Sequence, residues 1–122
     1  MNALYLYDCQ VIAWLDGDTV DLQVDLGFSI FARKRVRVYG INAHETRSLD
    51  AEEKRKGLEA KEYAKMLAPN GSSVQVVTHK IGEEEKFGRW LADITLPGDR
   101  DFAKLMIAAG HAVPYFGGHR DS

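Results

Sequence analysis

The chain has 122 residues, of which 45% are hydrophobic and 28% charged, the composition of a single globular domain with an ordinary core. The 16 lysine and arginine residues against 18 acidic residues give a formal net charge of -2. This balance excludes the overall basic excess of a protein that coats nucleic acid, so any affinity for phosphate must be local.

The single cysteine, Cys9, excludes an internal disulfide bond and a zinc site built from cysteine ligands. Residues 1–8 lack the basic start and the long apolar run of a signal peptide, and no segment reaches membrane-spanning length. We therefore expect a cytoplasmic protein with one domain over residues 1–122 and a frayed tail at 117–122. Nothing in the sequence indicates a membrane or an obligate protein partner.

Alternating apolar residues predict three strands in the first third of the chain. The first runs from Leu4 to Leu15 and enters a tight turn at Asp16-Gly17-Asp18. The second begins at Thr19, and the third runs from Ala32 to Tyr39. The side chains expected to face the core are Leu4, Leu6, Val11, Ala13, Leu15, Val20, Leu22, Val24, Leu26, Val36 and Val38. Those expected on the solvent side of the second and third strands are Asp21, Gln23, Asp25, Arg35, Arg37 and Tyr39.

The second half of the chain changes period. Apolar residues recur at helical spacing from Asp50 to Ala68. Strands are expected at Val74–His79 and Trp90–Leu96, with a charged, glycine-bounded loop between them. A short helix follows, capped by Asp99 or Asp101. Its apolar stripe consists of Phe102, Leu105, Met106 and Ala109.

This order of elements predicts a mainly β protein with helices, of the α+β class. Three strands, a helix, two strands and a terminal helix are typical of the five-stranded barrel called the OB-fold, which binds oligonucleotides and oligosaccharides. In that barrel the principal helix lies between strands three and four, and the second, short helix would lie near the C-terminus. A small mixed sheet covered by two helices is the competing architecture.

Two side chains that carry oxygen ligands are expected to meet at one rim of this barrel. In a three-stranded meander the start of the second strand lies beside the end of the third, which brings Asp18 towards Asn42. Their oxygens, a loop carbonyl and several waters would suit a hard cation, either calcium or magnesium. With one carboxylate, the site should bind its cation weakly unless a phosphate is also present. By itself, Asp16-Gly17-Asp18-Thr19 is most typical of a plain hairpin turn.

Charged side chains near this rim have the chemistry needed to handle a phosphodiester. Arg37 is expected on the solvent side of its strand, and Arg89 precedes the fifth strand. A guanidinium group matches the geometry of phosphate oxygens. Glu45, three residues after Asn42, could take a proton from a water held near the cation. Each of these residues also fits an ordinary exposed position on a strand or loop.

Histidines and aromatic residues leave alternatives open. The 4 histidines are scattered, without an i, i+4 pair, so a histidine-metal nuclease built on His44 is disfavoured. Tyr115 and Phe116 fit either closure of the core or a stacking surface for a base.

Several separated motifs resemble the staphylococcal nuclease (thermonuclease) family. They are Leu15-Asp16-Gly17-Asp18-Thr19-Val20, Arg37-Val38-Tyr39-Gly40-Ile41-Asn42-Ala43-His44-Glu45, Lys86-Phe87-Gly88-Arg89-Trp90-Leu91-Ala92 and Ala109-Gly110-His111-Ala112. Together with the helix around Leu58–Tyr63, they cover most of the chain in the family's order. The chain is similar to the short bacterial or phage-encoded SNase-like domains.

The resemblance implies a calcium-dependent endonuclease that hydrolyses DNA and RNA to products ending in a 3'-phosphate. It implies that Asp18 and the backbone carbonyl of Ala43 are ligands of the cation, with Asn42 at a further ligand position. It also implies that Glu45 is the base that activates water.

The same resemblance implies a set of substrate contacts. Arg37 and Arg89 would bind the phosphate and stabilise its pentacoordinate transition state. Lys86 and Phe87 fall where the family contacts the nucleotide, and the base-stacking wall would come from the region of two aromatic residues. These are Tyr115 and Phe116.

Two positions depart from the family's pattern. Asn42 stands where the type member has a second aspartate, which should weaken cation binding, although the amide oxygen can still coordinate. His44 replaces a proline, which is expected to loosen the loop that presents Glu45. These departures favour an alternative, a catalytically weak SNase-like module that binds nucleic acid or a protein partner. A ligand-binding barrel without hydrolytic activity is the third hypothesis.

Overall fold

The computed structural model describes residues 5–79 and 90–115. Within these ranges the chain forms a barrel of strands, two helices and three short additional strands. The elements in chain order are β1 (Leu6–Asp16), β2 (Thr19–Asp25), β3 (Phe31–Val38), β4 (Gly40–Asn42), α1 (Ala51–Leu67), β5 (Ser73–Thr78), β6 (Trp90–Leu96), β7 (Arg100–Asp101), α2 (Phe102–Ala108) and β8 (Val113–Tyr115).

Five of the strands close into a barrel. The order β3-β2-β1-β5-β6 is completed by a parallel pairing of β3 with β6, in which Val36 lies opposite Trp90 and Arg37 opposite Leu91. Helix α1 connects the third and fourth barrel strands, and α2 follows the fifth. The closure confirms the predicted five-stranded OB-fold barrel and rules out the open mixed sheet.

The core occupies the barrel interior and the end of the barrel that α1 covers. Small residues, Ala60 and Ala64, are buried on the helix face that packs there. Trp14 lies beneath this end, stacks on Phe102 of α2 at 4.7 Å and donates its indole N–H to the carbonyl of Ala68 at 2.9 Å. A buried indole needs such a partner, because an unpaired N–H in the core costs free energy.

Irregular pairing in β1 makes part of the predicted core wrong. Ala13 and Leu15 were expected to face the interior, but both are half-buried, and Trp14 between them is 3% exposed. The register between β1 and β2 shifts between Val11 and Ala13 and again between Trp14 and Asp16. Each shift moves the following side chain to the other face of the sheet. Leu6, also expected in the core, is 40% exposed at the start of β1, and the predicted core residue Leu4 lies outside the described residues.

The second strand departs from simple alternation at two positions. Leu26, expected in the core, is 46% exposed because it lies beyond Asp25, the last residue of β2 paired with β3. Asp21, expected on the solvent side, is 7% exposed because Arg35 on the neighbouring strand covers it and donates two hydrogen bonds to it. The remaining predicted core positions of β2 and β3 are buried.

The segment after β3 was expected to be a loop, but it forms a short strand. Gly40 has a φ of 89°, a left-handed conformation that ends β3 and redirects the chain. Strand β4 then pairs with β8 near the end of the described chain, with Gly40 opposite Tyr115 and Asn42 opposite Val113. This pairing joins residues far apart in sequence, and it holds Asn42 in a defined position.

Aspartate side chains cap the N-termini of both helices. Asp50 accepts hydrogen bonds from the backbone N–H groups of Glu52 and Glu53 at the start of α1. Of the two predicted caps of α2, Asp101 is the one observed, since it accepts a bond from the N–H of Lys104. In the part of the chain that the structure describes, no helix has the length and apolar character needed to cross a membrane.

Candidate functional site

Asp18 lies in the turn between β1 and β2 and is 5% exposed. Its Oδ2 accepts a hydrogen bond from the backbone N–H of Ala43 at 2.9 Å, and its Oδ1 accepts one from the hydroxyl of Thr19 at 3.0 Å. The pairing of Thr19 with Arg37 places this turn beside the end of β3. The meander therefore brings Asp18 next to the segment that carries Asn42.

Arg37 joins the two oxygen-bearing side chains. Its Nη2 donates to Oδ1 of Asn42 at 2.9 Å and to the carbonyl of Ile41 at 3.1 Å, and it lies 3.6 Å from Oδ2 of Asp18. Its guanidinium carbon lies 5.2 Å from the centre of the Tyr115 ring. One guanidinium group thus contacts a carboxylate, an amide oxygen, a carbonyl and an aromatic face.

The expectation that Arg37 projects into solvent is wrong, because the residue is 6% exposed. The outer face of β3 is open at Arg35 but is covered at Arg37 by β4 and by Tyr115 from β8. A charge removed from water in this way needs close partners of opposite charge or hydrogen-bond acceptors, and Asp18 and Asn42 provide them.

A second carboxylate, Asp16, holds the loop that presents Glu45. Its Oδ1 accepts hydrogen bonds from the backbone N–H of Thr46 at 3.0 Å and from the Thr46 hydroxyl at 2.9 Å. Asp18 binds the N–H of Ala43 at the other end of the same segment. The exposed Glu45 side chain therefore sits on a segment fixed at both ends by the turn between β1 and β2.

Two glycines permit the close contacts behind this loop. A Cβ atom at Gly57 of α1 would lie 2.5 Å from the carbonyl oxygen of Glu45, far inside van der Waals contact. A Cβ atom at Gly17 would lie 2.9 Å from Cβ of Ala60 and 3.0 Å from Cε of Met106. The loop and the turn are thus pressed against the two helices, which a larger residue at either position would prevent.

His44 is anchored to α1. Its Nδ1 lies 2.6 Å from Oε1 of Glu53, and both side chains are partly exposed. A proline at this position would be expected to make the loop rigid. In its place, His44 contacts Glu53 and so links the loop to the helix. The expected loosening of the loop is therefore offset by a side-chain anchor.

The aromatic and distal site residues are only partly described. The ring of Tyr115 lies against the guanidinium of Arg37 and is partly exposed, which favours a surface position over closure of the barrel core. The other predicted substrate contacts and the second arginine clamp lie outside the described residues. They are Lys86, Phe87, Arg89 and Phe116.

The donor set at this rim fits a hard, weakly held cation. Asp18 offers carboxylate oxygens and Asn42 an amide oxygen, and the same Arg37 nitrogen contacts both side chains. Oxygen ligands of this kind are preferred by calcium and magnesium. Among the described residues no three His, Cys, Asp or Glu side chains gather into a metal-binding group. A cation here would therefore depend on neutral oxygens, water and substrate.

Sequence reasoning found Asp18, Asn42 and Arg37, which the structure brings together, but it missed Asp16 and Thr46. Asp16 was part of a predicted turn, and its bond to Thr46 spans 30 positions in the chain, a separation that local patterns do not reveal. The available signal was the spacing Asp-Gly-Asp, which places two carboxylates on either side of a glycine that packs against other elements.

The closed five-stranded barrel is the OB-fold scaffold found in proteins that bind oligonucleotides and oligosaccharides. Residues 35–121 match the family model described as staphylococcal nuclease homologue, and the chain belongs to that family. The match begins after Asp18, so the family model does not test the assignment of this residue. No curated protein matches the chain. Family membership indicates a nuclease, and the family's substrates are nucleic acids.

Proposed function

We propose that the protein is a calcium-dependent endonuclease that hydrolyses DNA and RNA to products ending in a 3'-phosphate. The observation that carries this proposal is the contact of one buried guanidinium, Arg37, with both Asp18 and Asn42. A cation-binding oxygen pair and a phosphate-binding group at one rim are the equipment for phosphodiester hydrolysis. Family membership supports the reaction class.

In the proposed site, the carboxylate of Asp18, the amide oxygen of Asn42 and the carbonyl of Ala43 hold the cation. When bound, calcium supplies positive charge to the phosphoryl oxygens of the substrate. A phosphate would replace Asn42 Oδ1 as the partner of Arg37 Nη2, which releases that oxygen towards the cation. Substrate and cation would then favour each other's binding, as expected for a site with a single carboxylate.

Glu45 serves as the general base, and Arg37 and Arg89 stabilise the charge of the transition state. Glu45 takes a proton from the attacking water, whose oxygen bonds to phosphorus while the bond to the 5' oxygen breaks. Arg37 and Arg89 offset the charge that builds on the phosphoryl oxygens, which favours the transition state over the bound substrate. Lys86, Phe87, Tyr115 and Phe116 are proposed to position the nucleotide.

A second candidate function is a catalytically weak module that binds nucleic acid or a protein partner. The amide of Asn42 in place of a carboxylate, held by Arg37 at 2.9 Å, favours this candidate because the cation loses one negative ligand. The segment that carries Glu45 is nevertheless fixed at both ends, as a catalytic base requires.

Digestion of single-stranded and double-stranded DNA and of RNA tests the proposal. We expect the native chain to cleave in calcium and to stop in chelator, and Glu45→Gln to be slower by about two to four orders of magnitude, the usual contribution of a general base. Glu62→Gln, an exposed acid on α1, is the matched control and should retain the native rate. Folded protein that binds DNA without cleaving it would support the weak binding module instead.

A further inference from the structure

The tip of the β2–β3 hairpin exposes an unusual amount of apolar surface. We call Leu26, Phe28, Ile30 and Phe31 the hairpin tip; their exposed fractions are 46%, 97%, 55% and 54%. Phe28 and the following Ser29 have φ values of 55° and 59°, so the tip also holds two non-glycine residues in the left-handed region. The exposed phenyl ring and the strained backbone both cost free energy, which points to a role outside the fold.

A line of arginines leads from the hairpin tip to the candidate site. Phe31, Arg33, Arg35 and Arg37 alternate along β3 and therefore share its outer face. Arg33 and Arg35 keep 68% and 48% of their side chains exposed, whereas Arg37 is buried. At about 3.3 Å per residue, successive arginines are about 7 Å apart along the strand, a spacing comparable with that of phosphates in an extended single strand.

One acid orients these arginines without removing their net charge. Oδ1 and Oδ2 of Asp21 accept bonds from Nε and Nη2 of Arg35 at 2.8 and 3.1 Å, and Arg33 Nη2 lies 3.6 Å from Oδ2. Two cations thus share one carboxylate, whereas Lys34, between them in sequence, lies on the other face of the strand, 5.9 Å from the Trp90 ring. Asp25, an exposed acid paired across the strands with Phe31, accepts a hydrogen bond from the backbone N–H of Gly27.

We infer that the outer face of β3 and the hairpin tip bind a single strand of nucleic acid that leads away from the site. Arg35 and Arg33 contact the phosphates next to the one at Arg37, and Phe31 and Phe28 stack on unpaired bases. Guanidinium groups and aromatic rings in sequence are what a strand of alternating phosphates and bases requires. This inference rests on the proposed function for the nature of the ligand.

Three features favour a nucleic acid over an anionic lipid surface or a second copy of the chain. Binding to lipid headgroups would require the arginines to lie at a single distance from the inserted tip. These arginines instead follow one another along the strand towards the site. The cations on β3 complement a polyanion more closely than they complement the same face of an identical chain. The line also ends at Arg37, the proposed phosphate contact, so one ligand can occupy both.

The test compares a dinucleotide with an oligothymidylate of about twelve nucleotides, both fluorescently labelled, on the full chain carrying Glu45→Gln to prevent cleavage. We expect Phe28→Leu to lower the ratio of the long-chain affinity to the dinucleotide affinity by about tenfold, because leucine retains apolar surface but cannot stack on a base. Phe28→Trp, which can stack, should keep that ratio. Arg33→Ala should reduce the salt dependence of long-chain binding by about 0.7 in logarithmic slope. Arg100→Ala, an exposed arginine on β7, is the control and should change neither quantity.

An equal affinity ratio in Phe28→Leu, Phe28→Trp and the parent would overturn the inference. If Phe28→Leu instead loses binding to anionic vesicles and keeps the parent's affinity ratio, the tip binds lipid. If Phe28→Leu loses concentration-dependent self-association and keeps that ratio, the tip binds a second copy of the chain. These measurements distinguish failure of this inference from failure of the proposed function. Tip-dependent oligonucleotide binding without calcium-dependent cleavage by the native chain would sustain this inference alone, and cleavage without tip dependence would sustain the proposed function alone.

Discussion

Arg37 shows how a residue's role depends on what covers its strand. From the sequence it is one of several arginines with period two, and on the open face of β3 it would resemble Arg35. The β4–β8 pair covers that face at Arg37 alone, which removes its charge from water and surrounds it with oxygen acceptors and the Tyr115 ring. A desolvated guanidinium binds an incoming phosphate more strongly than one in water, because the charge interaction is less screened.

Asp21 makes a residue-scale prediction about pH. The hydrogen bond from Arg35 lowers the pKa of the Asp21 carboxyl, and the charges of Arg35 and Arg33 act in the same direction. Because the folded-state pKa lies below the unfolded one, the carboxylate stabilises the fold above the ordinary aspartate pKa. That contribution disappears as the pH falls through the lowered folded-state value.

Asp21→Asn should therefore lower the free energy of unfolding by about 1–3 kcal/mol near neutral pH, the usual size of a hydrogen bond to a charged group. The difference from the parent should shrink as the pH falls below about 4, where the unfolded-state carboxyl is already protonated. Denaturant titrations across this range measure it, with the exposed Asp99→Asn as control. A difference that stays constant from neutral to acidic pH would contradict the explanation.

At the scale of elements, the functional loop depends on the packing of α1. Gly57 lies in the second turn of the helix, a position where glycine weakens the isolated helix. The structure gives the reason for it, because the Glu45 carbonyl occupies the space a Cβ atom would need. Gly57 therefore lowers helix propensity but allows the loop to approach the helix closely. The His44–Glu53 contact is a second link between the loop and the helix.

Gly57→Ala should lower both stability and activity. Alanine improves helix propensity by roughly 1 kcal/mol, but its methyl group at 2.5 Å from a backbone oxygen forces the loop or helix to move, which typically costs about 1–3 kcal/mol. We expect a lower melting temperature and a larger loss of cleavage rate than the unfolded fraction explains. Lys56→Ala, at the exposed neighbouring position, is the control. A melting temperature at or above the parent's would refute the steric account.

The sequence predicts elements wherever the pattern is local and regular. The helix from Asp50, the buried positions Val20, Leu22 and Val24 of β2 and the order of the barrel strands were all readable from period and turn residues. Trp14 was missed because a bulge inverts the alternation, and β4 was missed because its partner β8 lies far along the chain. The approach of Asp18 to Asn42 followed from meander geometry, whereas the burial of Arg37 required knowledge of that distant pairing. The roles of these three residues stay predictions.

In the whole molecule, the two ends of β3 lie in different surroundings. The end of β3 at Arg37 is enclosed, polar and fastened to the turn between β1 and β2. The start of β3 carries the exposed hairpin tip. An enclosed end suits chemistry on one phosphate, and an exposed end suits contact with a long and variable strand. Because β3 is a strand of the closed barrel, its two ends stay at a fixed separation.

A calcium titration of DNA cleavage by the native chain and by Asn42→Asp tests whether the cation used in cleavage lies between Asp18 and Asn42. Restoring a second carboxylate should lower the calcium concentration for half-maximal cleavage by about tenfold, because each added negative ligand strengthens calcium binding. The same substitution should increase the rise in melting temperature that calcium produces without substrate. An unchanged half-saturating concentration and an unchanged calcium shift in Asn42→Asp would contradict the account and place the cation elsewhere.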